Sequence, residues 1–261
     1  VLLMRRTLLV CLAALAVLLG SVAPARAVTD GYPDSTNVYD MVGLVVFSDA
    51  SGPTGRCTGT LLSPTLFLTA GHCTDGAVGA RVYFGPEIFR AGGYPFTGGV
   101  PALSIVTMSA YAEGGFPNTG DLGLVTLATP VRASAYATIA GLGSLDALAT
   151  ERGRQDTTFT VVGYGLQGVK PVEIRDLVRT VGTVRLVNLR SSLTDGFNLH
   201  HTNARGTGGG TCFGDSGGPV FVAGTLTIAA VTSFGLNANC AGAGFAYRVD
   251  TAEAQGFIYG G

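Results

Sequence analysis

The chain is divided into many short, strand-like runs by residues that favour turns. Runs such as Val42–Phe47 and Leu66–Thr69 are rich in β-branched and aromatic residues, and glycine, proline, asparagine or aspartate separates them. Glycine is frequent, at 40 of 261 residues, as expected for a chain with many tight turns. Because 47% of the residues are hydrophobic, the chain can fill a core and is not expected to be disordered. The pattern predicts an all-β sandwich or barrels.

The remaining predicted strands share this pattern and follow one another at short intervals. They are Thr60–Leu62, Arg81–Phe84, Leu103–Met108, Leu122–Leu127, Thr157–Val162, Leu177–Val187, Pro219–Val222, Thr225–Ser233 and Gly244–Val249. Two segments, Ser144–Thr150 and Thr251–Ile258, are predicted to form short helices.

The first 27 residues are typical of a secretory signal peptide. Arg5 and Arg6 precede an apolar run from Leu8 to Leu19, and Ala25-Arg26-Ala27 is a small-x-small cleavage site. The run is shorter than the roughly 20 apolar residues that a membrane-spanning helix needs. We therefore expect cleavage after Ala27, release to the extracellular medium, and no membrane association afterwards.

Charge and histidine content exclude several kinds of partner. The net charge is −1 and no basic patch or charge run is present, so neither nucleic acid nor an anionic membrane is an expected partner. Of the three histidines, His200 and His201 have no carboxylate or cysteine at ligand spacing, so we expect no metal site and no cofactor.

The cysteine count agrees with export. Cys11 lies in the signal peptide, which leaves four cysteines in the mature chain and three possible pairings. Disulfide bonds are the usual state of such cysteines in an exported protein, and free buried thiols are the alternative. The four are Cys57, Cys73, Cys212 and Cys240.

Three motifs carry the chemistry. Ser216 lies in Gly-Asp-Ser-Gly-Gly-Pro, His72 lies in Thr-Ala-Gly-His-Cys, and Asp121 precedes the apolar run Leu122–Leu127. A serine hydroxyl needs a base within hydrogen-bond reach and a third group to hold that base. With these local sequences and the order His, Asp, Ser, the chain resembles the chymotrypsin/trypsin family of serine endopeptidases. Other serine hydrolases use different chain orders.

The resemblance covers essentially the whole mature chain and implies its architecture. We expect two packed six-stranded antiparallel β-barrels with the active site in the cleft between them. Residues 28–130 would form the first barrel, 131–154 the crossover, and 155–261 the second barrel. The protein is expected to be a monomer.

The resemblance also implies catalytic roles. Ser216 would be the nucleophile, His72 the general base, and Asp121 the group that orients His72. The backbone N–H groups of Gly214 and Ser216 would form the oxyanion hole, and Ser233 would hydrogen-bond to Asp121. The cysteines would pair as 57–73 and 212–240.

A specificity pocket follows from the same resemblance. Gly210 would lie at its floor, Gly235 and Gly244 at its walls, and Phe213, Ser233 and Phe234 around it. Without a charged residue at the floor, such a pocket suits Phe, Tyr, Leu or Met.

In the family, the mature N-terminus pairs with the aspartate before the nucleophile, which implies an ion pair between Val28 and Asp215 here. The chain departs from the family pattern at Asp30, where glycine is usual, and at Tyr164, where tryptophan is usual. A third departure is Pro86, at a usual calcium-ligand glutamate, so calcium dependence is not expected.

The sequence thus predicts a secreted endopeptidase that acts on polypeptides through an acyl-enzyme and that protein inhibitors could bind. The first alternative is a catalytically silent binding module on the same fold, but such modules usually lack a triad residue and this chain keeps all three. The second is an esterase or lipase of the α/β-hydrolase class. That class needs a histidine after the serine and a helix at the serine; no histidine follows Ser216, and Pro219 prevents a helix.

Overall fold

The computed structural model describes residues 28–90, 92–150, 156–169, 172–203 and 208–260. The expected signal peptide, residues 1–27, lies outside the described residues. Within the described part, no helix has the length and apolar character needed to span a membrane.

Strands dominate the described chain. In order they are β1 Tyr32–Pro33, β2 Val42–Asp49, β3 Gly52–Leu61, β4 Leu66–Thr69, β5 Gly79–Phe84, β6 Val100–Thr107, β7 Gly123–Leu127, β8 Thr138–Ile139, β9 Thr158–Gly163, β10 Thr180–Asn188, β11 Asn198–Asn203, β12 Pro219–Val222, β13 Thr227–Gly235 and β14 Gly242–Arg248.

The first barrel is closed by six antiparallel strands in the order β2-β3-β4-β7-β6-β5. β2 is buried from Val42 to Phe47 without the alternation of a half-exposed strand. It also contacts β9 of the other barrel, so both of its faces are covered. This explains why its sequence is continuously apolar.

The second barrel is a closed ring of β9, β10, β11, β14, β13 and β12, with β1 added beside β10 and β8 parallel to β13. The prediction of two six-stranded antiparallel barrels is confirmed. Strand β11 was not predicted, because Asn-Leu-His-His-Thr-Asn has few β-branched or aromatic residues. It is a strand because it pairs with β10 and β14.

Helices are short and lie outside the barrels' hydrogen-bonded ladders. α1 is Gly71–Thr74 and α2 is Ala252–Gly260; 3-10 turns occur at Ile88–Arg90 and Asp146–Thr150. The two predicted helices correspond to the second 3-10 turn and to α2. In α2, the buried residues Ala254 and Ile258 are four apart, so they lie on one face.

A buried polar network joins the two barrels. The fully buried Arg179 donates to Asp34 Oδ2 at 2.9 Å, to the Val42 carbonyl at 3.0 Å and to the Tyr164 hydroxyl at 3.1 Å. Tyr164 in turn donates to the Gly85 carbonyl at 2.7 Å. Burial raises the pKa of Tyr164 to about 12, so its hydroxyl stays protonated and keeps this bond. The tyrosine that replaces the usual tryptophan therefore takes part in holding the barrels together.

Candidate active site

His72 is held in place by the carboxylate of Asp121 at two points. The residue lies in α1, directly after β4, and its backbone N–H donates to Asp121 Oδ1 at 2.7 Å. Its ring Nδ1 lies 2.9 Å from Asp121 Oδ2 and 3.1 Å from Oδ1. A proton on Nδ1 satisfies the carboxylate and leaves Nε2 free to accept a proton.

Asp121 is a buried carboxylate that stays ionised. Burial alone would raise its pKa, but the hydrogen bonds and charge of His72 and the hydroxyl of Ser233 outweigh burial and lower it. Burial lowers the pKa of His72, whereas Asp121 and the nearby Glu113 raise it, and the net direction is up. The pair is therefore arranged to stabilise an imidazolium.

Ser216 lies in the turn before β12, facing the same cavity as His72. Its carbonyl accepts a hydrogen bond of 2.8 Å from the N–H of Thr58 in the first barrel. The next residue, Gly217, has φ +81°, and a Cβ there would overlap the Thr69 hydroxyl. His72 and Ser216 are both described, and no hydrogen bond joins them. They line the same cavity without being in hydrogen-bond contact.

Two backbone N–H groups beside Ser216 have no acceptor among the described residues. They belong to Gly214 and to Ser216 itself, whereas the intervening Asp215 N–H donates to the Cys212 carbonyl at 2.9 Å. Gly214 has φ +99°, a conformation that favours glycine. Free, neighbouring N–H groups of this kind can bind a developing oxyanion.

Thr58 fixes the position of Gly214 from the opposite barrel, a contact that was not predicted from the sequence. Its hydroxyl donates to the Gly214 carbonyl at 2.8 Å and accepts a bond of 3.1 Å from the Tyr164 N–H. It follows Cys57 directly, but that position carries no signal for a contact 156 residues further along the chain.

Asp215 is fully buried and has no cationic partner among the described residues. Its carboxylate accepts bonds from the Gly165 N–H at 2.9 Å and the Cys212 N–H at 2.8 Å. Burial raises its pKa to about 7 despite these bonds. Val28 is also fully buried and packs against Gly182, next to the Thr29–Gly210 bridge. The structure contains no ion pair between Val28 and Asp215.

The cavity that His72 and Ser216 share has a volume of about 480 Å³. Of the residues expected to form the specificity pocket, four line it: Phe213, Ser233, Phe234 and Gly235. Asn203 and Thr211 also line it, and the Asn203 side chain bonds both the N–H and the carbonyl of Thr211. Apart from His72, none of the described residues that line it is ionisable at neutral pH.

Gly210 and Gly244 do not line this cavity. The α-carbon of Gly210 faces the Asn203 amide oxygen, and that of Gly244 faces the ring of His201. His201 is fully buried, and burial lowers its pKa to about 4, so it is neutral. The expected floor at Gly210 is thus covered by Asn203, a residue that was not predicted to line the pocket.

An aromatic stack supports the cavity wall. The ring of Phe234 lies parallel to that of Phe245, with centroids 4.6 Å apart, and meets Phe116 edge-to-face at 4.8 Å. Phe234 also lines a second cavity of about 290 Å³, together with Phe116, Glu113 and His72. This second cavity was not anticipated from the sequence.

Both disulfide bonds have the pairing that the resemblance implied, Cys57–Cys73 and Cys212–Cys240. Within the described ranges, one group of potential metal ligands comes together, Cys57, His72 and Cys73. Its two sulfurs are bonded to each other, so neither is a thiolate ligand.

Comparisons with known proteins find relatives both in sequence and in fold. The family model described as Trypsin matches residues 31–255. Brachyurin of Leptuca pugilator is 32% identical over 190 residues, covering 70% of this chain and 77% of that protein. A structure of HL collagenase superposes with a TM-score of 0.68 at 19% identity, over 85% of this chain and 94% of that one. Human heparin binding protein gives a TM-score of 0.66 at 18% identity, over 89% and 96%.

Proposed function

Since the chain belongs to the trypsin family of serine proteases, we propose that it is a secreted endopeptidase whose catalytic residues are Ser216, His72 and Asp121. One observation carries the proposal. His72 is held by Asp121 at the edge of a cavity that also exposes Ser216, beside two backbone N–H groups without an acceptor.

The reaction follows from this arrangement. Ser216 Oγ attacks the scissile carbonyl while His72 Nε2 takes its proton, and Asp121 stabilises the imidazolium. The N–H groups of Gly214 and Ser216 bind the oxyanion. His72 then protonates the leaving amine, and water, activated by the same histidine, releases the acyl group from Ser216.

Substrates are polypeptides cleaved after large apolar or aromatic residues. The 480 Å³ cavity has room for such a side chain, and the residues described along its lining include no carboxylate that could pair with Arg or Lys. The side-chain amide of Asn203 hydrogen-bonds to the backbone of Thr211. Because this polar group already has partners, an apolar substrate side chain can lie beside it. Protein inhibitors that present a similar residue are candidate partners of the monomer.

The mature enzyme begins at Val28, and its ammonium group pairs with Asp215. Support comes from the buried carboxylate that lacks a cation and from the position of Val28 beside the segment that leads to Cys212. Residues 28–130 and 155–261 supply the two barrel domains, with 131–154 as the crossover, and the two-residue strands β1 and β8 add to the second barrel from outside 155–261.

Covalent labelling tests the catalytic proposal. A serine-directed phosphonofluoridate should label the mature protein at Ser216, and Ser216→Ala should lose both labelling and peptide hydrolysis while remaining folded. The matched control Ser104→Ala changes an exposed serine of β6 and should keep both. A wild-type protein that folds but is not labelled would favour the silent binding module instead.

A further inference from the structure

Two more cavities lie beside Gly214, and neither is lined by the Ser233–Gly235 segment. One, of about 560 Å³, contacts Ser216, His72 and the Cys57–Cys73 bond. The other, of about 380 Å³, lies between Val46 and Leu166. Both include residues of β2 and β3 in the first barrel. If the 480 Å³ cavity takes the acyl side of a substrate, these two lie along the leaving-group side.

Arg56 lines both of these cavities. It lies in β3 opposite Val46, and its Nε is 3.7 Å from the position that a Cβ on Gly214 would occupy. Its side chain is half-buried and makes no hydrogen bond or ion pair with any described residue. A partly desolvated guanidinium without an acceptor is unfavourable, so a ligand that supplies an acceptor gains free energy there.

The charges around the two cavities differ in sign. Among the described residues that line it, the 380 Å³ cavity has Arg56 and Arg175 and no acidic residue, although Arg175 forms an exposed ion pair with Glu173. The 560 Å³ cavity also contains Asp49 and Asp75. An anionic group is therefore repelled in the larger cavity and attracted in the smaller one.

We propose that Arg56 is a specificity residue that binds a substrate carboxylate in the 380 Å³ cavity, within two residues after the scissile bond. An extended peptide advances about 3.3 Å per residue, so the nearness of Arg56 to Gly214 places this contact close to the cleaved bond. The carboxylate belongs either to an acidic side chain or to a free C-terminus. The inference rests on the proposed peptidase function and adds its leaving-group preference.

Matched fluorogenic peptides test this preference. They share one acyl-side sequence and differ at the second residue after the bond, which is Glu, Gln or Lys in peptides with amidated C-termini. A fourth peptide ends at that position as Gln with a free carboxylate. We expect wild-type kcat/KM to be about three- to tenfold higher for Glu than for Gln, as for a partly exposed charge pair, with Lys lowest. If the Gln peptide with a free C-terminus has a similarly higher kcat/KM than the amidated Gln peptide, the C-terminal carboxylate also binds Arg56.

Variants assign the effect to Arg56. Arg56→Gln should reduce the Glu-to-Gln ratio to about one, whereas Arg190→Gln, which removes an exposed arginine that lines neither cavity, should preserve it. The wild-type ratio should also fall as ionic strength rises from about 0.01 M to about 1 M, because salt screens a partly exposed pair.

An acyl anilide, which has no residue after the scissile bond, separates the possible failures. If wild type cleaves the anilide but shows equal rates for Glu and Gln, the carboxylate preference is refuted and the peptidase proposal stands. If Arg56→Gln slows the anilide as much as the Glu peptide, the guanidinium acts on the oxyanion and the inference is overturned. If wild type cleaves neither the anilide nor any peptide and Ser216 is not labelled, the proposed function itself fails.

Discussion

Removal of residues 1–27 should change how the stability of this protein depends on pH, because Asp215 then gains a cationic partner. With the chain uncut, the Val28 nitrogen is a peptide amide and the buried carboxylate has only the N–H groups of Gly165 and Cys212. After cleavage, the Val28 ammonium would lie at the end of the segment that pairs with Gly210 through Thr29.

The magnitude follows from the pKa of Asp215. Burial raises it from 3.8 to about 7 in the folded chain. Between these values the folded state holds a proton that the unfolded state has lost, so the free energy of unfolding falls as pH rises. Each pKa unit corresponds to about 1.4 kcal/mol, and the full loss is therefore about 4 kcal/mol at most. The Val28 ammonium would lower the pKa of Asp215 and remove this loss.

His201 titrates in the same pH range and has the opposite effect on the free energy of unfolding. Burial lowers the pKa of His201 from 6.5 to about 4, so its contribution makes the folded state more stable as pH rises through this range. A comparison of Asp215→Asn with its parent cancels the histidine, because both proteins contain it. A pH-independent effect of the Asp215→Asn substitution on the free energy of unfolding does not matter either, because only the change of the difference with pH is compared.

Urea unfolding from about pH 4 to about pH 7 measures the effect in two chains, one starting at Pro24 and one at Val28. Both carry Ser216→Ala to prevent self-digestion. In the longer chain, the stability of Asp215→Asn relative to its parent should rise with pH, by up to about 4 kcal/mol. In the shorter chain this rise should be absent. The same rise in both chains would refute the pairing of Val28 with Asp215.

Three further substitutions have defined outcomes. Glu113→Gln should shift the acid limb of the pH–kcat/KM profile to lower pH, because it removes an anion that raises the pKa of His72; an unmoved limb would contradict this. Thr58→Val should reduce kcat about tenfold, measured with an anilide substrate, because the Gly214 carbonyl loses its hydrogen bond from the Thr58 hydroxyl; Thr58→Ser is the control and should retain activity. Gly210→Ala should lower the free energy of unfolding in urea by about 1–3 kcal/mol, because its methyl group would overlap a neighbouring amide; unchanged stability would show that the segment relaxes.

Much of the fold was predictable because strand patterns are local. Leu66–Thr69 and Pro219–Val222 were predicted with the bounds that the structure shows, since turn residues flank them closely. β11 was missed because its residues have weak strand propensity, and pairing with its neighbours decides its conformation. The two-barrel arrangement came from the family resemblance and not from periodicity.

The sequence by itself selected the candidate catalytic residues, because short motifs around His72, Asp121 and Ser216 resemble those of the family. It also determined the cysteine pairing once the family was recognised. Only the tertiary structure decided which groups surround those residues. Thr58 supports Gly214, Arg56 lies beside it without an acceptor among the described residues, and Asn203 lines the 480 Å³ cavity in place of Gly210. Each of these contacts depends on the direction of a side chain across a barrel or between barrels. Sequence spacing does not encode such a direction until the strands are paired in register.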